Sequence, residues 1–444
     1  MLKRDVRWLA LVLLVIAAAA FAHAWIVAGQ ANRAASLSRD DLRISLPHQL
    51  IRPEFTVDGH MWIRHAENLL AGDGPQLRRT GIDNAPHGRE VYWNSGYAWW
   101  IAAGGWVWAK LTGLPITRAT EQAAMWINLP LLVGFSVLFA VWAWRRAGPL
   151  AGLTLALAIF GHRSLYEGFW PGYADHHGIT LASIMGLVLG ASFMRGGWLP
   201  RGQEEARTVA VRSARWSAVW GATVLWISAA SAVPAIAFVA IAAGVASVLM
   251  RRTLANETEF CAKAWQAWGR TGALVSLGYY VLEYFPFHLG WRLEVNHPLY
   301  ALAWWAGGEL LAKFLPVLVL RQPREAWKGF FRTAAWALPL AVAPAVVVVV
   351  WKAKVFMPAD PFMVGLHATI TEFLPLGMRL PLEGLRSHYD AILQMPALYV
   401  LAGAALLVRR ADRWSLLFAL ATAVPLHAMG FYQSRWAMSA APGQ

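Results

Sequence analysis

Residues 171–194 read PGYADHHGITLASIMGLVLGASFM, a row of three metal-capable side chains, Asp175, His176 and His177, followed at once by an uncharged apolar run. Such a run is the mark of a membrane-spanning helix, which needs about 20 residues to cross the hydrocarbon core. The three polar residues sit where that helix meets the interface. An ionisable group beside hydrocarbon is costly and points to function. A helix N-cap accounts for Asp175 but leaves the two histidines without a purpose.

Working outward, the same pattern fills the chain. Of 444 residues 58% are hydrophobic and only 14% charged, with 26 Trp, which is the balance of a polytopic all-α membrane protein rather than a soluble domain. The run within 8–28 is too long for a cleaved signal and is expected to be retained as a span. A single cysteine, Cys261, excludes an internal disulfide, and its surroundings suggest inert packing.

The net charge of +14 raises the question of nucleic acid, and its distribution answers it. Basic residues gather in short segments, 3–7, 145–146, 195–215, 251–270, 321–332 and 409–413, the pattern of cytoplasmic loops under the positive-inside rule, so nucleic acid is not an expected partner. These anchors predict about eleven crossings, near 8–28, 124–144, 149–164, 178–194, 216–230, 233–250, 271–288, 299–319, 333–351, 394–408 and 414–435. The N-terminus is then cytoplasmic and two long segments, 30–123 and 352–393, lie outside within one domain, 1–444. Loops of that length usually carry function. Trp99, Trp100, Trp106 and Trp108 in the first of them suit an interfacial helix rather than a twelfth span, since a crossing there would invert every later basic segment.

On this topology the DHH motif faces outward between the third and fourth spans. The first outer segment adds Asp58, in VDGHMWIRHAENLL, either a helix cap or a ligand. The second adds Glu372, in TITEF, and the end of the last span adds Arg435, in SRW, which either snorkels to the interface or grips a phosphate. His87 lies in the first outer segment, and Trp226, in VLWIS, either packs or touches a lipid. Glu309 and Lys313, four apart, are expected to pair on one helix face, and the outward-facing Glu294 and His297 to serve as a helix-entry cap before Pro298 rather than join an outer binding site.

Taken in order and on one side of the membrane, Asp58, the Asp175-His176-His177 row, Thr369-Ile-Thr-Glu372 and Arg435 resemble the motifs of the catalytic subunit of oligosaccharyltransferases, GT-C glycosyltransferases. The DHH form resembles the archaeal version of the second motif. The resemblance spans the whole chain with two departures: Trp436 stands where the family has Phe, and no WWDYG motif, the mark of the family's C-terminal soluble domain, occurs in the sequence. The chain is therefore expected to be either a short archaeal- or bacterial-like member lacking that domain or a fragment.

The resemblance implies a GT-C-type transmembrane domain at the cell (inner) membrane with its active site on the outer, periplasmic face. It implies an inverting transfer of a glycan from a polyprenyl-(di)phosphate-linked donor to a protein asparagine. It also implies that Asp58, Asp175, His177 and Glu372 hold Mn²⁺ or Mg²⁺, with Asp58 and Glu372 also holding the acceptor amide. Arg435, His176 and His87 would then face the donor phosphate, and Trp226 its lipid. The same donor with a lipid, glycan or hydroxyl acceptor is the alternative. A transporter would gather its polar residues at the bilayer midplane on broken, repeated helices, a pattern this sequence does not show.

Overall fold

The apolar runs fold as helices. The structure, a computed structural model, describes residues 2–40, 57–76, 78–81, 86–286, 292–320, 324–350, 375, 377–378, 390–408, 413–432 and 442. They form two compact units, Met1–Ala182 and Ser183–Gln444.

In the first unit α1 (Leu2–Asp40) packs against α5 (Asn128–Ala147) and α6 (Pro149–Gly161), with Val12, Ile16, Ala140 and Ala156 buried between them. A second core forms where α2 (Val57–Ala71) lies on α3 (Gly96–Thr112) and α4 (Ile116–Trp126), around Trp62, Tyr97, Ile101 and Ile127. Gly113 ends α3 in the left-handed region at φ 69°, donating its N–H to Ala109 O, a conformation glycine adopts without steric cost. A small hairpin, β1 (Arg79–Thr80) against β2 (Arg89–Glu90), separates α2 from α3. The short α7 (Arg163–Glu167) leads through the DHH turn into α8 (His177–Phe193).

The second unit continues with β3 (Trp198–Pro200), α9 (Glu204–Ile227), α10 (Ala229–Leu249), α11 (Arg251–Glu257), β4 (Thr258–Phe260), α12 (Ala262–Tyr284), α13 (Pro298–Val319), α14 (Arg324–Val350), α15 (Met395–Val408) and α16 (Arg413–Gly430). β3 and β4 pair antiparallel, Trp198 opposite Phe260, and α12 packs between α9 and α13. The α12–α13 contact is backbone on backbone: a Cβ on Gly269 would sit 2.9 Å from the Gly308 Cα, so only small residues allow the approach. Across it Glu309 accepts from Arg270 at 2.7 and 3.1 Å and from Gln266 at 2.9 Å. Glu309 thus turns to α12 rather than to Lys313, because the Gly269–Gly308 approach brings a closer cation than its own helix offers. His297 does cap α13, its Nδ1 accepting from the Leu299 amide at 3.1 Å. Cys261 is buried.

Each of the expected crossings falls on a helix. Among the described residues six helices are long and apolar enough to span a membrane, Arg7–Asn32, Ile116–Ala147, His177–Gly197, Ala229–Leu249, Pro298–Val319 and Arg324–Val350. Three more, Pro149–Gly161, Ala391–Leu406 and Leu416–Gly430, are apolar but shorter. The second of the six starts well before 124: Arg118 and Glu121 in ITRATEQAAMW interrupt its hydropathy, while the helix itself runs on from Pro115. The Trp segment, α3, is a helix of 17 residues.

Candidate functional site

Asp175 is 1% exposed, at the turn that delivers the chain into α8. A carboxylate can stay there only if its lone pairs are satisfied. Its Oδ1 accepts from the Trp62 indole N–H at 3.2 Å, from the His176 backbone N–H at 2.6 Å and from His176 Nδ1 at 2.6 Å. Its Oδ2 accepts from the Tyr173 hydroxyl at 2.9 Å. These bonds reach α2 and the turn itself, so Asp175 is not used up as a cap on the α8 amides. Burial alone would push its carboxyl up; the neighbouring His177 and His176 charges, with the His176 and Tyr173 hydrogen bonds, outweigh that and hold it well below the ordinary carboxylate range.

The same bonds place a proton on each histidine Nδ1. Facing an ionised carboxylate, His176 Nδ1 must carry a proton. Tyr173 has spent its proton on Asp175, so its oxygen receives His177 Nδ1–H at 3.1 Å, and Nε2 is the ring atom that His177 can offer to a metal once deprotonated. The two imidazole rings lie 4.9 Å apart. One donor atom from each of Asp175, His176 and His177 lies within 4.8 Å of the others, among the described residues the group suited to a metal ion. One carboxylate with two imidazoles, oriented by outer hydrogen bonds, is a donor set that fits a divalent cation.

The surroundings are rigid. Asn128, 3% exposed, donates to the Tyr173 carbonyl and accepts from the Tyr97 hydroxyl at 2.9 Å, tying the turn to α5 and α3. The Trp62 ring stands 5.4 Å from Tyr97, 5.7 Å from Trp93 and 5.5 Å from His176. Gly178, the last residue of the motif, touches Gly168: a Cβ on it would lie 2.6 Å from both the Gly168 carbonyl oxygen and the Phe169 ring. Gly178→Ala is therefore expected to lower stability by about 1–3 kcal/mol and to weaken metal binding, whereas Gly134→Ala on α5, where a Cβ meets nothing within 4 Å, leaves both unchanged or improved. Thermal unfolding and metal titration of the two variants decide this.

Neither Asp58 nor His87, the other expected residues of the first unit, joins this group. Asp58 is exposed in the first turn of α2, one turn before Trp62 and on the same helical face, but outside the 4.8 Å group. His87 is exposed beside the β1–β2 hairpin, its carbonyl accepting from Arg79 at 3.2 Å. Trp226, in the second unit, stacks on Tyr279 at 4.6 Å and donates to the buried Glu283 at 3.0 Å. Glu372 and Arg435 lie outside the described residues. Trp62, Tyr173 and Asn128 were not singled out in the sequence. Trp62 carries a signal in retrospect, four residues after Asp58, and Tyr173 another, two before Asp175.

No family model matches the sequence. No curated protein matches it either. Solved structures do. The oligosaccharyltransferase AglB of Archaeoglobus fulgidus, in complex with an inhibitory peptide and a dolichol-phosphate, superposes with a TM-score of 0.57 at 15% identity over 97% of this chain and 49% of that one. The apo form of the Archaeoglobus fulgidus enzyme gives 0.58 at 15% identity over 97% and 49%. The form tethered to an acceptor peptide containing the NVT sequon gives 0.60 at 14% identity over 97% and 48%. The chain spans about half the length of the structures it matches. It shares the helical membrane-domain fold of these structures.

Proposed function

We propose that this chain is the catalytic membrane part of a glycosyltransferase that moves a glycan from a polyprenyl-(di)phosphate-linked donor to an acceptor, with an asparagine of a protein as that acceptor. The observation that carries this is the buried Asp175 grouped with two histidines at the head of an apolar helix, in a fold shared with an archaeal oligosaccharyltransferase. One neighbour was solved with a dolichol-phosphate and another with a sequon peptide, a lipid-linked phosphate and a peptide of the classes proposed here.

In this proposal the acceptor nitrogen attacks the sugar C1 from the face opposite the phosphate. The C1–O bond breaks with inversion, the electron pair leaves with the lipid phosphate, and the proton shed by the nitrogen ends on that phosphate. When bound there, Mn²⁺ or Mg²⁺ would supply Lewis-acid stabilisation of that departing charge. Asp175 and His177 would hold it, with Asp58 and Glu372 as the further ligands the family resemblance gives. His176, hydrogen-bonded to Asp175 through Nδ1, orients the carboxylate and, as the imidazolium, donates Nε2–H to the phosphate. Arg435 and His87 add positive or hydrogen-bonding groups for the same phosphate. Asp58 and Glu372 take up the two amide N–H groups of the acceptor. The site lies on the outer, periplasmic face of the cell membrane by the distribution of basic residues.

Transfer from an extracted lipid-linked donor pool to a mixture of sequon peptides and lipid acceptors tests this, with Mn²⁺ or chelator and with wild type or Glu372→Gln. Expected is peptide glycosylation that chelator abolishes and Glu372→Gln lowers by two orders of magnitude or so, on the order of 10². Sugar on lipid acceptors only would change the acceptor class. Transfer indifferent to chelator would remove the metal.

A further inference from the structure

In the second unit, α10 and α13 enclose a groove of about 600 Å³, lined on one side by Ala240, Gly244 and Val248 and on the other by Leu311, Phe314 and Leu318. Both helices are long and apolar enough to cross a membrane. The lining continues to Leu249, the last residue of α10. From Ala240 to Leu249 the groove runs about 14 Å at ~1.5 Å per residue. That is about half of the ~30 Å hydrocarbon core, the depth of one leaflet.

Its end is basic. Arg251 and Arg252 follow at the start of α11, both exposed. Arg251 donates from Nε to the carbonyl of Val319, the last residue of α13, at 3.2 Å. The guanidinium is thereby held across the ends of the two helices that form the groove. An apolar trough one leaflet deep, closed by two arginines at head-group level, has the distribution of a lipid: chain along the trough, anion at the mouth.

We infer that this groove binds an anionic phospholipid, one acyl chain lying over Gly244 and the phosphate on Arg251 and Arg252. The site does not depend on the proposed transferase chemistry. Gly244 lines this open trough, and a Cβ there meets nothing within 4 Å. Filling it therefore blocks the chain without a clash in the protein, and leucine favours the helix over glycine.

The full chain, purified in mild detergent, is incubated with equal amounts of phosphatidylglycerol and phosphatidylcholine, and retained lipid is read by native mass spectrometry. Expected is retention of phosphatidylglycerol over phosphatidylcholine, lost in Gly244→Leu and lowered about fivefold in Arg252→Gln. Leu274→Ala, on the exposed face of α12 and outside the groove, leaves it unchanged. Unfolding temperature and elution volume confirm that each variant is folded; should Gly244→Leu fail, the double variant Arg251→Gln, Arg252→Gln decides. Equal retention of both lipids, retention that survives Gly244→Leu, or a second copy of the chain in place of lipid would overturn the inference.

Discussion

Asp175→Asn is expected to lower glycan transfer by about 10²–10³-fold in a protein that still folds. The substitution keeps the shape of the side chain, and the asparagine oxygen still receives the Trp62 and His176 N–H groups that now converge on Oδ1. The amide nitrogen faces the Tyr173 hydroxyl, which turns round and accepts instead of donating. What disappears is the negative charge, and with it the one anionic ligand within the 4.8 Å group. Asp175→Ala removes charge and acceptor together. It leaves the buried Trp62 indole, the Tyr173 hydroxyl and the His176 ring without an oxygen, each such loss costing about 1–3 kcal/mol. The two variants therefore part company: Asn loses turnover and metal affinity while keeping its unfolding temperature, and Ala loses all three. A fully active Asp175→Asn would show that the carboxylate charge takes no part in the reaction.

The sequence made the helices legible because apolar length needs no tertiary information. The positions 178–194 and 299–319 could be drawn almost where α8 and α13 lie. Where polar residues interrupt a helix, as Arg118 and Glu121 do in α4, the hydropathy signal stops short of the true start. The DHH row was legible for a similar reason, since three polar residues at the edge of an apolar run stand out by contrast. Its supports were not. Asn128 and Tyr97 are separated from Asp175 by 45 residues or more, and a lone Asn in an apolar run reads as chance until the Tyr173 carbonyl is found beside it. Glu309 shows the converse, a partner chosen wrongly because spacing on one helix is visible in a sequence and the close approach of two glycines is not.

Trp62 is the support whose loss should cost most. Trp62→Ala empties a side chain only 2% exposed from the core shared by α2 and α3, for which a loss of about 3–5 kcal/mol is expected. Trp62→Phe separates packing from polarity. The phenyl ring can still pack against Tyr97 and Trp93, while the indole N–H that reaches Asp175 at 3.2 Å is gone. Oδ1 then keeps only the two His176 donors, and the carboxylate is free to swing about the Tyr173 bond. Outer hydrogen bonds of this kind set the direction of a ligand's lone pairs, and their removal usually costs about 10–100-fold in metal affinity or activity. Trp62→Phe is thus expected to weaken metal binding and transfer together by about tenfold with little change in unfolding temperature. Metal titration beside calorimetry reads both. Unchanged metal affinity in Trp62→Phe, with stability lost only in Trp62→Ala, would reduce this indole to packing and leave the orientation of Asp175 to Tyr173 and His176 alone.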